Sequence, residues 1–446
     1  MILNERPPWE VHSSKVELKM SHSQIIKSES ASSGTMIDAL TPPARPLFQK
    51  LTTFIDAECR PAEEEFEEKL DGFKIIPEVL LALQRRAKEL GIWNLFMTHL
   101  HNITVHDYGL MSEQMGTSFL AAYATNCAAP DTGNMEVLHD FGTALQKERF
   151  LGPLMDGGMR SAFLMTEPDV ASSDARNVCT EFKKETRSGV EGYVVSGRKW
   201  WSTGAEDPRC EVFVVMGRVV ENSVMSKHHT MLVVPSKSPG VTIVRSLTVF
   251  GYDDAPFGHA EVSLDDVWVS KEDSLLGEEG AGFKIAQSRL GPGRIHHCMR
   301  AIGLARRCFD VMVERMLTRK VFGKEMARHG MSQEKIADCK SDLDCARAIT
   351  LLCADKIDRI GAKAARGDIS MIKYAVPDFV LRIVDKAMQV HGGMGMCEDT
   401  MLPRAYSYVR TLRIADGPDE VHKMVVAREE CKAALKRMGI AVGSKL

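Results

Sequence analysis

The chain has 446 residues, of which 44% are apolar and 26% charged, and its formal net charge is −3. That length accommodates two or three units with cores of their own, and the near-neutral balance gives no reason to expect nucleic acid or an anionic membrane as a partner. No stretch approaches the run of about 20 apolar residues that a membrane span needs.

Residues 1–37 are polar, with SHSQ and SESASSG, and lack helical periodicity, which predicts a disordered tail. From 38 to 160 the pattern predicts an α-helical domain. PLFQKLTTFIDAECRPAEEEFEEKL repeats apolar residues at three- and four-residue steps, and Pro77 opens a second such stretch that Gly91 closes. Residues 102–109 read as loop.

Residues 161–276 change texture. YVVSGRKWW, CEVFVVMGRV, HTMLVVP, VTIVRS and HAEVSLDDVWV are short, rich in β-branched and aromatic residues, and separated by Gly, Pro, Asp and Ser, which predicts a β-barrel-like domain. From 277 to 440 four long amphipathic stretches predict a helical bundle. The fold expected is therefore mainly α with a central β domain: an N-terminal helical domain, a middle β domain and a C-terminal four-helix bundle. A short tail, 441–446, ends in Ser444-Lys445-Leu446. That triplet is of the kind read by the peroxisomal import receptor, so the expected location is the peroxisome, with mitochondrion or cytoplasm as alternatives.

Eleven cysteines are scattered with no C-x-x-C pair and no zinc spacing, so they read as reduced thiols and no metal site is expected. No strand leads into G-x-G-x-x-G, so a Rossmann site is not supported. The stretch RIADGPDEVH (413–422) concentrates Asp416, Asp419 and Glu420 around a Gly-Pro step. On local grounds it reads as a turn leading into a helix, with Asp-Gly as the turn dipeptide and Pro418 at the first helical position. A catalytic carboxylate is the alternative.

Five motifs in order make the chain resemble the acyl-CoA dehydrogenase flavoprotein family over roughly residues 40–440. They are MTEPDVASSD (165–174), WWSTGA (200–205), RKVFGK (319–324), QVHGGMG (389–395) and RIADGPDEVH. The resemblance implies FAD as cofactor. It places Met165 and Thr166 against the flavin and Trp201 and Thr203 on the facing strand. Arg319 and Phe322 match the family's R-x-x-F-G, whose arginine reaches the FAD pyrophosphate of a neighbouring subunit. Gln389, Gly392 and Gly393 match the segment at the adenosine end. Ser172 or Ser173 lies in the loop that meets phosphate or substrate; this loop is one residue longer than the common form, and the choice between them stays open.

The implied reaction removes two hydrogens from the α,β bond of an acyl-CoA, a carboxylate taking the α proton while a hydride passes from the β carbon to the flavin. Asp416 stands where the family carries that base, usually as Glu in E-G-T, and is one methylene shorter. Arg294 aligns with an arginine near the base, where opposite charge favours the carboxylate. Pro418 and Glu420 replace residues that help hold FAD in better-known members. His296 and His297 are adjacent on a helix, face different directions, and are assigned no role. The Asp base, the DGPDEVH tail and RIHHCMR (294–300) resemble the branch that includes acyl-CoA dehydrogenase family members ten and eleven. The implied partners are an acyl-CoA substrate, an electron acceptor (electron-transferring flavoprotein or oxygen) and a second copy of the chain in a dimer or tetramer. An acyl-CoA oxidase, a nitroalkane-oxidase-like flavoenzyme and a non-catalytic acyl-CoA binder are the rivals.

Overall fold

The computed structural model of the chain describes residues 36–221 and 229–441, and only the backbone of 289–292. The N-terminal tail up to residue 35 and Ser444-Lys445-Leu446 lie outside the described residues. Residues 36–40 form a short unit of their own, and the body begins at Thr41.

The first helix, α1 (Ala44–Phe54), buries Ala44, Phe48, Leu51 and Phe54, the one-sided spacing its sequence carries. Helix α2 (Ala62–Glu68) follows a wider helical turn. Helix α3 (Glu78–Leu90) starts after Pro77 and stops at Gly91, which is left-handed at φ 70°. Residues 102–109, read as loop from sequence, instead carry the start of α4 (Val105–Gly116). Thr104 and Asp107 cap it reciprocally, each side chain accepting the other's backbone N–H. The carboxylate of Asp358 accepts the Val105 and His106 N–H groups at 2.9 and 3.0 Å. Half of that cap comes from far along the chain, where a local pattern cannot reveal it. Helix α5 (Asp131–Phe141) completes the N-terminal layer.

Among the described residues the middle of the chain is one seven-stranded sheet of β1 (Arg160–Leu164), β2 (Glu181–Arg187), β3 (Val190–Thr203), β4 (Cys210–Val219), β5 (His229–Pro235), β6 (Val241–Ser246) and β7 (His259–Ser270). Its order is β1-β4-β2-β3-β7-β6, with β5 also on β4. Five strands coincide with the apolar runs singled out above; β1 and β2 were not among them. β2 reads EFKKETR and buries only Phe182, so it offers no alternating apolar face to recognise. The longest strand, β3, is bulged between Val195 and Gly197 and again between Lys199 and Ser202. A bulge re-aims the side chains beside it, and the second one falls at Trp201.

The C-terminal layer holds α6 (Gly282–Thr318), α7 (Gly330–Ile360), α8 (Arg366–His391), α9 (Leu402–Leu412) and α10 (Asp419–Arg437). Four are the long stretches expected; the eleven-residue α9 was not anticipated. Ile302, Ala305, Leu343, Ala346, Ile372, Val376, Leu402 and Ala405 join α6, α7, α8 and α9 in one apolar core. Helix α4 lies directly on α6. A Cβ on Gly116 would sit 2.0 Å from the Arg300 carbonyl oxygen, and one on Gly303 would sit 1.9 Å from that of Glu113. Glycine at both positions lets the two backbones touch. Glu113 is buried at this crossing and takes the Arg347 guanidinium from α7, so the helix that carries residues 294–300 is clamped from two sides.

Candidate active site

Between α9 and α10 the chain reverses through Asp416 at φ 56° and Gly417 at φ 99°. Asp tolerates the left-handed region better than most residues. Gly417 has a further reason to be glycine, because a Cβ there would lie 2.9 Å from His422 Nε2. Pro418 is extended and precedes Asp419, the first helical residue, so it stands one place outside the position expected. The three carboxylates of this turn separate by environment. Asp419 is buried and paired with Arg413 at 2.6 Å. Glu420 is exposed. Asp416 stands beside two charges, those of Arg294 and Lys373.

The backbone of Asp416 is tied down on two sides. Arg294 Nη2 and His422 Nε2 each donate to its carbonyl oxygen at 3.1 Å. Burial pushes His422 down to about 4, with the Arg294 charge acting the same way, so its ring is neutral at neutral pH. From α8 the buried Lys373 ammonium donates to Leu412 O and reaches Gly417 O at 3.4 Å. Burial lowers the Lys373 value, against the pull of the Asp416 charge.

The Asp416 side chain is met by His297, whose Nε2 lies 3.6 Å from Oδ2. On its other side His297 Nδ1 is 3.2 Å from Arg300 Nη2. A guanidinium only donates, so Nδ1 accepts and the ring proton of the neutral imidazole sits on Nε2, turned toward the carboxylate. Arg300 is buried and also donates to Cys127 O at 3.3 Å. His296 points the other way, buried with its ring edge-on to Tyr108 at 4.5 Å; burial holds it well below the usual histidine range. The pair was passed over in the sequence. The readable signal was the spacing of Arg294, His297 and Arg300, three residues apart on one helix face.

A second group assembles on the sheet. Trp200 N–H donates to Thr166 O at 3.0 Å, which joins the segment of Met165 and Thr166 to that of Trp201 and Thr203. Beneath them the fully buried Lys199 donates to Met165 O at 3.0 Å, Met216 O at 2.7 Å and Glu167 Oε1 at 2.8 Å. Burial lowers Lys199 to about 8, against the pull of Glu167. Burial opposes ionisation of Glu167 too, but the Lys199 charge and the hydrogen bonds from Lys199, Thr180 and Cys179 outweigh it and hold the carboxyl below its ordinary value. Trp201, at φ 51° beside the bulge, turns outward and is 39% exposed. Thr203 Oγ1 is 2.8 Å from His259 Nδ1. Ser172 Oγ accepts the Glu167 N–H at 2.9 Å and is engaged within its own loop; Ser173 is exposed.

This group fits a flavin. An isoalloxazine ring is flat, apolar on its faces and polar along one edge. An outward tryptophan, on a strand tied through its neighbour Trp200 to Thr166 and carrying the Thr203 hydroxyl, matches that shape, and the Lys199–Glu167 pair fixes the backbone beneath it. The other expected cofactor residues are at helix ends. Arg319 is exposed at the end of α6, and Phe322, 98% exposed at φ 49°, tips a two-residue hairpin between Lys320–Val321 and Lys324–Glu325. Gln389, Gly392 and Gly393 are exposed where α8 ends, and a Cβ on either glycine would meet nothing within 4 Å. Among the described residues no group of three or more His, Cys, Asp and Glu could hold a metal ion.

Residues 162–267 match the family of the acyl-CoA dehydrogenase middle domain, and residues 280–430 that of the acyl-CoA dehydrogenase C-terminal domain. The chain belongs to the acyl-CoA dehydrogenase family. Members of this family are FAD-dependent oxidoreductases. FadE2 of Mycobacterium tuberculosis, described as an acyl-CoA dehydrogenase, is 47% identical over 367 residues, covering 82% of this chain and 89% of its own. Acyl-CoA dehydrogenase family member 11 of Gallus gallus is 44% identical over 398 residues, covering 87% of this chain. The match spans 50% of that relative's length. A solved structure from Mycobacterium abscessus, also described as an acyl-CoA dehydrogenase, superposes with a TM-score of 0.83 at 41% identity, covering 88% of this chain and 99% of its own.

Proposed function

We propose that the chain catalyses α,β-dehydrogenation of an acyl-CoA thioester and that Asp416 takes the α proton. One observation carries this reading: among three carboxylates in one turn, Asp416 combines a pinned backbone, the nearby charges of Arg294 and Lys373 and a side chain that is still 25% exposed. A general base must hold its ionised form and still reach the proton. Arg294, Lys373 and the His297 N–H favour the ionised form. The two hydrogen bonds to the Asp416 carbonyl fix where the shorter side chain starts, which matters because small misplacements cost proton transfer heavily. FAD, when bound, supplies the acceptor for the electron pair that leaves the β carbon. Met165, Thr166, Trp201 and Thr203 hold its ring. Ser173, an exposed residue, is better placed than Ser172 to meet the substrate.

Arg319 and Phe322 project from the bundle and act on a neighbouring copy, which makes the active form a homo-oligomer. Arg319→Ala then lowers the FAD content of the purified protein, and light scattering on Phe322→Ser reports a smaller assembly. The test of the reaction is an anaerobic titration of the purified yellow protein with a panel of acyl-CoAs, following the flavin absorbance. Bleaching by one chain class supports the reading and gives the substrate class; admitting oxygen then separates an oxidase from an enzyme that needs an electron-transferring flavoprotein. A flavin that no acyl-CoA bleaches refutes it.

A further inference from the structure

Thr203 closes β3 and His259 opens β7, directly opposite each other in the antiparallel ladder. The Thr203 hydroxyl lies 2.8 Å from His259 Nδ1, and His259 Nε2 lies 2.9 Å from Asp254 Oδ2. Asp254 sits in the left-handed region at φ 54°, and its carbonyl accepts the N–H groups of Phe257 and Gly258 at 3.1 and 3.0 Å. That tight loop folds its carboxylate back onto the ring. The chain of groups runs outward, with the His259 side chain 13% and that of Asp254 39% exposed.

The order of donors follows from the chemistry of each group. A carboxylate only accepts, so Nε2 carries the ring proton. In the neutral ring Nδ1 is then an acceptor, and the Thr203 hydroxyl must donate to it. The hydroxyl proton is committed to His259, and the remaining lone pairs of Oγ1 are left to meet whatever stands beside Thr203. The Trp201 ring, 5.7 Å from that of His259, flanks the same corner.

We propose that His259 and Asp254 are positioning residues that make Thr203 a hydrogen-bond acceptor toward the bound flavin and so favour its reduced state. This rests on the reading of Thr203 as facing the flavin. The reduced ring carries an N–H along its central edge where the oxidised ring has a bare nitrogen, and hydrogen bonds to ring nitrogens tune a flavin's electronics. An acceptor there stabilises the reduced form. A threonine free to turn its proton toward the ring would stabilise the oxidised form instead.

The test is the two-electron midpoint potential of the purified holoenzyme, measured against a reference dye, together with its FAD content and absorption spectrum. His259→Leu is expected to lower the equilibrium constant for flavin reduction roughly tenfold, which is about 30 mV for a two-electron couple. Asp254→Asn, which preserves size but releases the tautomer, is expected to shift it the same way by less, and it carries the test if His259→Leu fails to hold FAD. Thr203→Val lowers the potential too, and in that background His259→Leu adds nothing. If Thr203→Val moves the potential and neither His259→Leu nor Asp254→Asn does, the relay is overturned while Thr203 keeps its place at the flavin. If Thr203→Val moves neither the potential nor the spectrum, Thr203 does not face the flavin and the relay falls with it.

Discussion

Glu167 and Asp416 are both carboxylates beside buried cations, and they are held in opposite ways. Glu167 spends its oxygens on structure. It accepts from Lys199, from the Cys179 N–H at 2.7 Å and from the Thr180 N–H and hydroxyl at 2.9 and 2.6 Å, and its side chain is 5% exposed. At Asp416 the backbone carbonyl takes the hydrogen bonds from Arg294 and His422, while the side chain retains 25% exposure. A fully satisfied carboxylate fixes a loop; one anchored through its main chain leaves its side chain less engaged, which is why Asp416 rather than Glu167 is proposed as the base.

The largest expected effect comes from removing the carboxylate proposed as the base. Asp416→Asn should retain bound FAD and slow flavin reduction by acyl-CoA by about 10²–10⁴-fold, the usual worth of a positioned general base. Rapid-mixing absorbance under anaerobic conditions measures it, and a variant that bleaches at the parent rate would put the base elsewhere.

Removing the structural partner should act on stability. Lys199→Met leaves Glu167 buried without its counter-ion, and breaking a buried pair in this way costs about 3–5 kcal/mol. Denaturant unfolding would show the loss, with FAD content falling as the 165–166 segment loosens. The acid side follows from the direction of the Glu167 shift. Its folded value lies below the ordinary 4.5, so its stabilisation is present above that pH and is lost as pH falls through the folded value. Glu167→Gln should flatten that part of the acid-unfolding curve. A smaller kinetic effect is expected at His297. His297→Leu removes the N–H turned toward Asp416 and should slow flavin reduction by about tenfold, a charge-assisted hydrogen bond being worth roughly 1.5–3 kcal/mol at full strength and this contact being longer than that. The Arg300 guanidinium provides the control. Arg300→Lys should leave the ring free to change tautomer, so the two substitutions should not be additive.

How much of this was legible in the chain depended on where each signal came from. Strands β3, β4, β5, β6 and β7 announced themselves through short runs of β-branched and aromatic residues between turn residues, and the long helices through the length of their apolar-polar repeats. Helix α4 did not, since Asp358 supplies part of its cap, and β2 did not, since it is mostly charged. At the candidate site Asp416 was visible as one of three carboxylates, and its neighbours sorted them: Arg413 claims Asp419, and Glu420 faces solvent. Arg294 was expected near the carboxylate of this turn, and its guanidinium donates to the Asp416 carbonyl. Lys373 and His422 were invisible, because nothing in MIKYAV or EVHKMV sets a lysine or a histidine apart until α8 and α10 converge on the turn. The outward turn of Trp201 depends on a bulge that no residue type marks.

The smallest effect separates the two serines that the sequence left unresolved. The Ser172 hydroxyl closes its loop on Glu167 N–H, the same structural economy that Glu167 itself displays, whereas Ser173 is exposed two residues before the 3-10 turn Ala175–Asn177. Ser172→Ala should therefore cost about 1 kcal/mol, the net worth of one hydrogen bond, seen as a small drop in melting temperature with the apparent affinity for acyl-CoA nearly unchanged. Ser173→Ala should do the reverse, leaving the melting temperature in place and weakening substrate binding by a few-fold. An exchange of these outcomes would mean that the loop rearranges when substrate enters, and that Ser172 gives up its backbone partner to meet it.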